Sequence, residues 1–151
     1  MKYTLFVVVA LLAAAQPAGQ NGFYHWTSKD LKAYAGKLKA DKAPGKLASE
    51  ALGNWGNSMA QITRRDGDGE SEFHENFVDF FIVEAGEAFL IVGGDVESPR
   101  TTAPGEIRGK SIKGGSRVTL RPGDIVRIPA KTAHQLLVPK TFLYYVIKVK
   151  Q

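Results

Sequence analysis

Four side chains have the types and spacing to hold a metal ion: Glu72, His74, Asp79 and His134. Glu72 and His74 stand two apart, so on a strand they point to one face. Asp79 opens the next run, followed by Phe80-Phe81-Ile82-Val83, and His134 follows Pro129, where a strand would begin anew. In a barrel the inward faces of two hairpins meet, and two imidazoles with two carboxylates would converge there. Neutral imidazole and carboxylate suit Zn, Mn, Fe or Ni alike, so the expectation is one divalent first-row ion. A bulge in the first strand would offer Glu75 or Asn76 in place of Glu72. The amides of Gln61, Asn76 and Gln135 are available to orient the imidazoles. His25 lies apart, in Phe23-Tyr24-His25-Trp26. This segment is either an aromatic lid over the barrel mouth or, more simply, an apolar piece pinned on the outer sheet. With no Cys there is no disulfide framework, no thiolate ligand and no Cys nucleophile.

The elements that must position these groups fit one domain of 151 residues, with an apolar fraction of 44% that excludes wholesale disorder. Met1-Lys2 is a short positive start and residues 5–15 are an apolar run ending in Ala13-Ala14-Ala15. That reads as a signal peptide over 1–15, cut after Ala15 or, second, after Ala18. The run is shorter than the roughly 20 apolar residues of a spanning helix. A periplasmic or secreted protein is therefore expected, without stable membrane insertion after cleavage. The net charge of +5 comes with dispersed lysines, among them Lys29, Lys32, Lys37 and Lys39. They read as a solvated helix face, and with no aromatic-interleaved basic stripe no nucleic-acid partner is expected.

Thr27-Ser28-Lys29-Asp30 predicts a helix start, with Leu31, Tyr34 and Leu38 forming an apolar stripe up to the Pro44-Gly45 stop. Residues 46–52 suggest a second short helix closed by Gly53. The organisation is thus a helical extension over 16–57, outside a larger sheet, and a barrel over 58–151. Strand patterns cover 58–65, 70–74, 79–83, 88–92, 117–120, 125–128, 135–138 and 142–149. Asp66-Gly67-Asp68-Gly69 predicts a hairpin turn. Its acids share the opening spacing of a calcium loop but lack the Glu at position 12. Arg121-Pro122-Gly123-Asp124 meets the type II requirement. Residues 95–115 form a long polar connection, expected to be functional or disordered. Many short strands with Gly and Pro turns mean a sandwich or barrel.

At these residues the chain resembles the cupin superfamily. That family's first motif has two histidines two apart, a Glu a few residues on and a Gly seven later. Here Glu72 takes the first histidine position, His74 the second, Asp79 the glutamate position, and Gly86 follows seven beyond. The second motif runs from Gly through Pro six later to His five after that, matched by Gly123, Pro129 and His134. The departures are Glu for His at 72, Asp for Glu at 79, Lys131 for a Gly, and Val138 for an Asn. The resemblance covers residues 58–148. It implies an all-β fold, a double-stranded β-helix (jelly-roll) barrel with a short N-terminal helical extension.

It also implies a metal bound by Glu72, His74, Asp79 and His134 beside a pocket lined by Phe81, Val83, Leu136 and Tyr144 or Tyr145. The metal would act as a Lewis acid on a small oxygen-rich molecule, with Glu72 moving the proton. That is isomerase, lyase or oxygenase chemistry. The alternative is a non-catalytic extracytoplasmic cupin that binds a small ligand or a metal. A homodimer is expected, because the strand over 142–149 would otherwise be a long open edge.

Overall fold

The computed structural model describes residues 22–151, so the leader expected over 1–15 lies outside the described residues. Helix α1 (Ser28–Lys37) starts as its sequence predicts. The Asp30 backbone N–H donates to Thr27 Oγ1 (3.2 Å) and the Thr27 N–H donates to Asp30 Oδ2 (2.9 Å), a reciprocal cap. The helix ends before Leu38, whose backbone is extended, and so stops short of Pro44. Among the described residues no helix is long and apolar enough to cross a membrane.

No helix forms over 46–52. Those residues belong to strand β1 (Leu47–Asn54), antiparallel to β2 (Ser58–Arg65). Ala48 and Leu52 pack toward the outer apolar cluster, while Ser49 Oγ lies 3.0 Å from Thr63 Oγ1 across the pair. The free edge of β2 offers a hydrogen-bond ladder with one register shift between Ala51 and Gly53, and that tertiary gain overrides a weak local helix propensity. The sheet therefore begins at residue 47, not 58.

The remaining strands are β3 (Ser71–His74), β4 (Phe77–Gly86), β5 (Ala88–Val92), β6 (Asp95–Glu97), β7 (Arg100–Ala103), β8 (Glu106–Gly109), β9 (Ser111–Lys113), β10 (Ser116–Leu120), β11 (Ile125–Ile128), β12 (His134–Leu137) and β13 (Phe142–Lys150). One sheet has the order β1-β2-β13-β4-β11, the other β10-β5-β12-β3-β8-β7, and β6 pairs with β9 in a small ribbon. All pairings are antiparallel.

Two expectations about connections change. Residues 66–69 are not a hairpin turn, because β2 and β3 lie in different sheets. Their acids pin the crossing instead. Asp66 Oδ1 accepts from Arg64 Nε (3.0 Å) and Thr141 Oγ1 (2.8 Å), and Asp68 Oδ1 accepts from the Val138 N–H (2.7 Å). The stretch 95–115 is not irregular: it supplies four strands, β6 to β9. Its polar composition follows from position, since β7 is a fully exposed outer strand.

Between the two sheets lies one apolar cluster of Phe81, Val83, Leu90, Leu120, Ile128, Leu136, Phe142, Tyr144 and Val146. A second, smaller cluster covers the outer face of the first sheet, where Leu38, Leu52 and Ile62 meet Trp26, Leu31, Tyr34 and Tyr145. The period of two along β13 thus separates Tyr144, inside, from Tyr145, outside. β13 pairs with β2 on one side and β4 on the other, so it is a central strand and not the open edge expected. Gly86 ends β4 at φ +85, where a Cβ would collide with the Thr141 backbone carbonyl. Only glycine fits there.

His25 is exposed, and its neighbours Tyr24 and Trp26 stack at 5.5 Å beside Trp55. Trp26 belongs to the outer cluster, so the segment is pinned on the outer sheet and forms no lid.

Candidate metal centre

Strand register places the four sequence-identified residues around one point. Glu72 and His74 share the inner face of β3, and His134 on β12 stands directly opposite Glu72. Asp79 comes from the other sheet, on the same face of β4 as Phe81 and Val83. His74 Nε2 is 3.5 Å from Glu72 Oε2 and 3.4 Å from Asp79 Oδ2. His134 Nε2 is 4.0 Å from Glu72 Oε2 and 3.6 Å from Asp79 Oδ2. Donor atoms of Glu72, His74 and His134 lie within 4.8 Å of one another, a spacing that could close on an ion. Glu75 and Asn76 are exposed beyond the end of β3, so no bulge substitutes them for Glu72.

Each imidazole is oriented by a partner that the sequence reading did not single out. His74 Nδ1 lies 2.6 Å from Glu106 Oε2, the residue facing it across β8. His134 Nδ1 lies 3.1 Å from the Thr132 carbonyl. Both acceptors hold the proton on Nδ1 and turn Nε2 into the site. The three amides expected in this role do other work or none here. Gln135 Nε2 donates to the Gly69 and Lys110 carbonyls, Gln61 Nε2 donates to Thr63 Oγ1, and Asn76 is exposed.

Lys148 was missed entirely. It stands directly opposite Asp79 across β13 and β4, and its ammonium donates to Asp79 Oδ1 (2.7 Å) and Oδ2 (2.9 Å). The same Nζ is 2.8 Å from His74 Nε2. The available signal was the inward alternation Phe142, Tyr144, Val146, Lys148, which puts a cation on the core face of an otherwise apolar strand. Arg65 and Arg108 were missed too. Arg65 Nη2 donates to Glu72 Oε1 (3.3 Å) and Arg108 Nη1 lies 3.1 Å from Glu72 Oε2.

Charge sets the protonation states. Burial pushes the Glu72 carboxyl up, but its His74 bond and the nearby charges of Arg108, His134 and Lys148 outweigh this and hold it at about 2. Glu72 is thus ionised at neutral pH, the form that a ligand or a base needs and a general acid lacks. Burial pushes His74 down, yet Asp79 and Glu72 raise it to about 9. Burial likewise opposes ionisation of Asp79, and contacts to His134, His74 and Lys148 carry its carboxyl far below the usual range. Tyr144, buried beneath the site, is pushed up to about 12 and stays a neutral hydroxyl.

Whether a cation fits is tested by His134. Its Nε2 is buried and has no hydrogen-bond partner, which is costly unless something accepts its lone pair. Two imidazole nitrogens and ionised carboxylates around it are a donor set for a divalent first-row ion. Against this stands the Lys148 ammonium, which already satisfies Asp79 and caps His74 Nε2. The donors fit an ion provided Lys148 withdraws from His74.

No protein-family model matches the chain, and no curated protein does. Solved structures do. The chain is similar to KdgF from a Halomonas species at 18% identity, covering 74% of this chain and 85% of that one with a TM-score of 0.53. A cupin 2 conserved barrel domain protein from Salinispora arenicola matches at 17% identity, over 76% of this chain and 82% of that one, with a TM-score of 0.50. The hydroquinone 1,2-dioxygenase PnpCD, solved with Cd2+ and 4-hydroxybenzonitrile, matches at 18% identity over 67% and 63%, with a TM-score of 0.53. Identities of this size establish the architecture alone, and it is the one that the Gly123–Pro129–His134 spacing implied: the chain is folded as a cupin barrel.

Proposed function

We propose that the chain is a metal-dependent cupin that acts on a small oxygen-rich molecule, with Glu72, His74, Asp79 and His134 as the ligands of one divalent ion. The observation that carries this reading is the buried, unpartnered Nε2 of His134, aimed at two ionised carboxylates. When bound, the ion would supply Lewis-acid chemistry, polarising a substrate oxygen for isomerase, lyase or oxygenase turnover. The protein's own part is to hold both imidazoles by their Nδ1 protons and to present Glu72 as an ionised carboxylate that can take up a substrate proton. Phe81 and Tyr144 pack at 5.2 Å beneath the site and exclude water from one side. The dioxygenase of similar fold, solved in complex with Cd2+, supports the reading.

Metal analysis tests it. His74→Ala or His134→Ala should lower occupancy at least about tenfold, because each removes one of two neutral nitrogen ligands. His25→Ala, on the outer sheet, should leave occupancy unchanged. Glu72→Gln should keep much of the metal and lose turnover. Stoichiometric barrel metal in a His74→Ala/His134→Ala double variant would show the assignment to be wrong.

One observation favours a second reading. The Lys148 ammonium sits against Asp79 and His74 as a cation would, which suits a metal-free cupin that binds a small ligand without turnover. Protein purified from its own compartment with no bound metal, and none taken up on dialysis, would decide for it.

Two further proposals concern context. Export by the leader over 1–15 should give a mature protein beginning at Gln16, which N-terminal sequencing of the exported form checks. Homodimerisation is assigned to the outer strands β10 and β11, where Val118 and Ile125 are 44% and 70% exposed. A monomer by sedimentation across a wide concentration range would reject it.

A further inference from the structure

A cleft of about 480 Å3 adjoins the metal centre, and Leu47, Arg65, Glu72 and Arg108 are among its walls. Glu72 belongs to both, so whatever fills the cleft touches the ligand set. Two guanidinium groups face Glu72 from opposite sheets. Arg65 lies at the end of β2 with a side chain only 8% exposed, its Nε donating to Tyr144 Oη (3.3 Å) and its Nη2 to Glu72 Oε1. Gly69 makes room for it, since a Cβ there would lie 2.9 Å from Arg65 Cζ. Arg108 stands opposite Glu72 on β8, with Nη1 3.1 Å from Glu72 Oε2 and 4.0 Å from Glu106 Oε2. Nη1 is buried against these carboxylates without a hydrogen bond, and the Arg108 side chain as a whole is 27% exposed on the cleft wall. A guanidinium on a cleft wall suits a bidentate oxyanion best.

The charge balance points the same way. Arg65, Arg108 and Lys148 offset Glu72, Asp79 and Glu106, so once an ion has displaced the His74 proton these six side chains sum to zero. A divalent ion would leave the group two positive. Of the acids at the rim, Glu70 is neutralised by Arg100, which donates to both its oxygens, and Asp68 takes one charge away while bonded to the Val138 N–H. One positive charge remains for a ligand to balance.

We infer that the cleft takes the carboxylate of a small organic acid between Arg65 and Arg108, leaving a second oxygen of the same molecule to reach the ligand set. This deepens the metal-dependent reading and rests on it for the second oxygen. The carboxylate contact depends on the two arginines alone. Arg108 is the specificity-determining residue, because its side chain is 27% exposed on the cleft wall, whereas that of Arg65 is 8% exposed and already bonded. Arg65 is a positioning residue as well, tied to Tyr144 and Glu72.

The test titrates zinc-loaded protein with glycerate and with glyceramide, its uncharged counterpart, following backbone amide shifts by NMR. A charge-assisted bidentate contact should make the acid bind at least about tenfold tighter than the amide. Arg108→Gln should abolish that preference with zinc content no lower than wild type, and Arg108→Lys should restore part of it. Arg65→Gln, checked for folding by circular dichroism, should weaken the acid more than the amide. Equal affinities for acid and amide in wild type, a preference that survives Arg108→Gln, or no glycerate-dependent shift at all would each overturn the inference. If the protein takes up no zinc, the metal reading fails by itself. The same titration on metal-free protein then judges the arginines: an acid preference lost in Arg108→Gln upholds the subsite, and its absence overturns it.

Discussion

Replacing Lys148 with methionine should destabilise the metal-free protein by about 3 kcal/mol and, in the same variant, tighten the binding of a divalent ion. Asp79 is 2% exposed and takes two hydrogen bonds from the Lys148 ammonium. Methionine keeps the unbranched stem as far as Cε but leaves that carboxylate buried without its cation. His74 and His134, at 3.4 and 3.6 Å, compensate only in part. The metal effect has the opposite sign. An ammonium 2.8 Å from His74 Nε2 stands where an ion would have to sit and repels the ion's charge. Removing a unit charge at that range should raise affinity at least about tenfold even at an effective dielectric near 20. Thermal melts of wild type and Lys148→Met, each with chelator and with zinc, read both halves. Zinc should restore the variant to wild-type stability or beyond. A variant that binds zinc more weakly than wild type would show Lys148 to be part of the working site and not its competitor. Unchanged stability in chelator would show the Asp79 contact to be energetically idle.

What the sequence could and could not reveal about this site follows from strand geometry. The second motif was legible because its residues meet backbone demands. Gly123 has φ +91, and Lys131, where a glycine is usual, is forced to φ +60. Glu72 and His74 were legible from period two on one strand, and Asp79 in the other sheet and His134 on β12 were legible from the motif spacing of the family resemblance. Lys148, Arg65, Arg108 and Glu106 were not, because each is defined by which strand lies beside it. Glu106 faces His74 only because 95–115 folds back as β8 against β3. A segment rich in glycine, proline and charge carries no periodic signal for that pairing. Residues 46–52 failed in the other direction. Ala, Leu and Lys are good helix formers, and the edge of β2 that claims them lies later in the chain. The helix α1 needed no such partner, since its cap is local, and it was placed correctly at its start.

Zinc uptake should strengthen steeply as pH rises, by about tenfold per unit up to pH 9, because the ion must expel a proton from the His74 cluster. The ring faces Asp79 and Glu72 from Nε2 and Glu106 from Nδ1. Burial and the Lys148 charge pull the imidazole's affinity for a proton down, and the carboxylates prevail, raising it to about 9. Only the neutral ring ligates an ion, so below that value proton and metal compete. The stability of the metal-free protein runs the other way. A group raised in the folded state contributes fully below its ordinary value of 6.5, and the contribution is lost as pH rises through about 9. Glu72 is lowered to about 2, so its contribution is full above 4.5 and is lost only as pH falls toward 2. Between pH 6.5 and 9 the carboxylate contribution is therefore constant and the His74 contribution declines. Zinc-loaded and chelator-treated protein should melt at temperatures that diverge over that interval, the loaded form holding level as the other weakens. Calorimetric titrations in two buffers of different ionisation enthalpy should show proton release on zinc binding at pH 7 and less of it near pH 9. A melting gap that is constant or narrows with pH, or zinc binding that releases no proton at pH 7, would mean that His74 is not displaced from its proton and so is not a ligand.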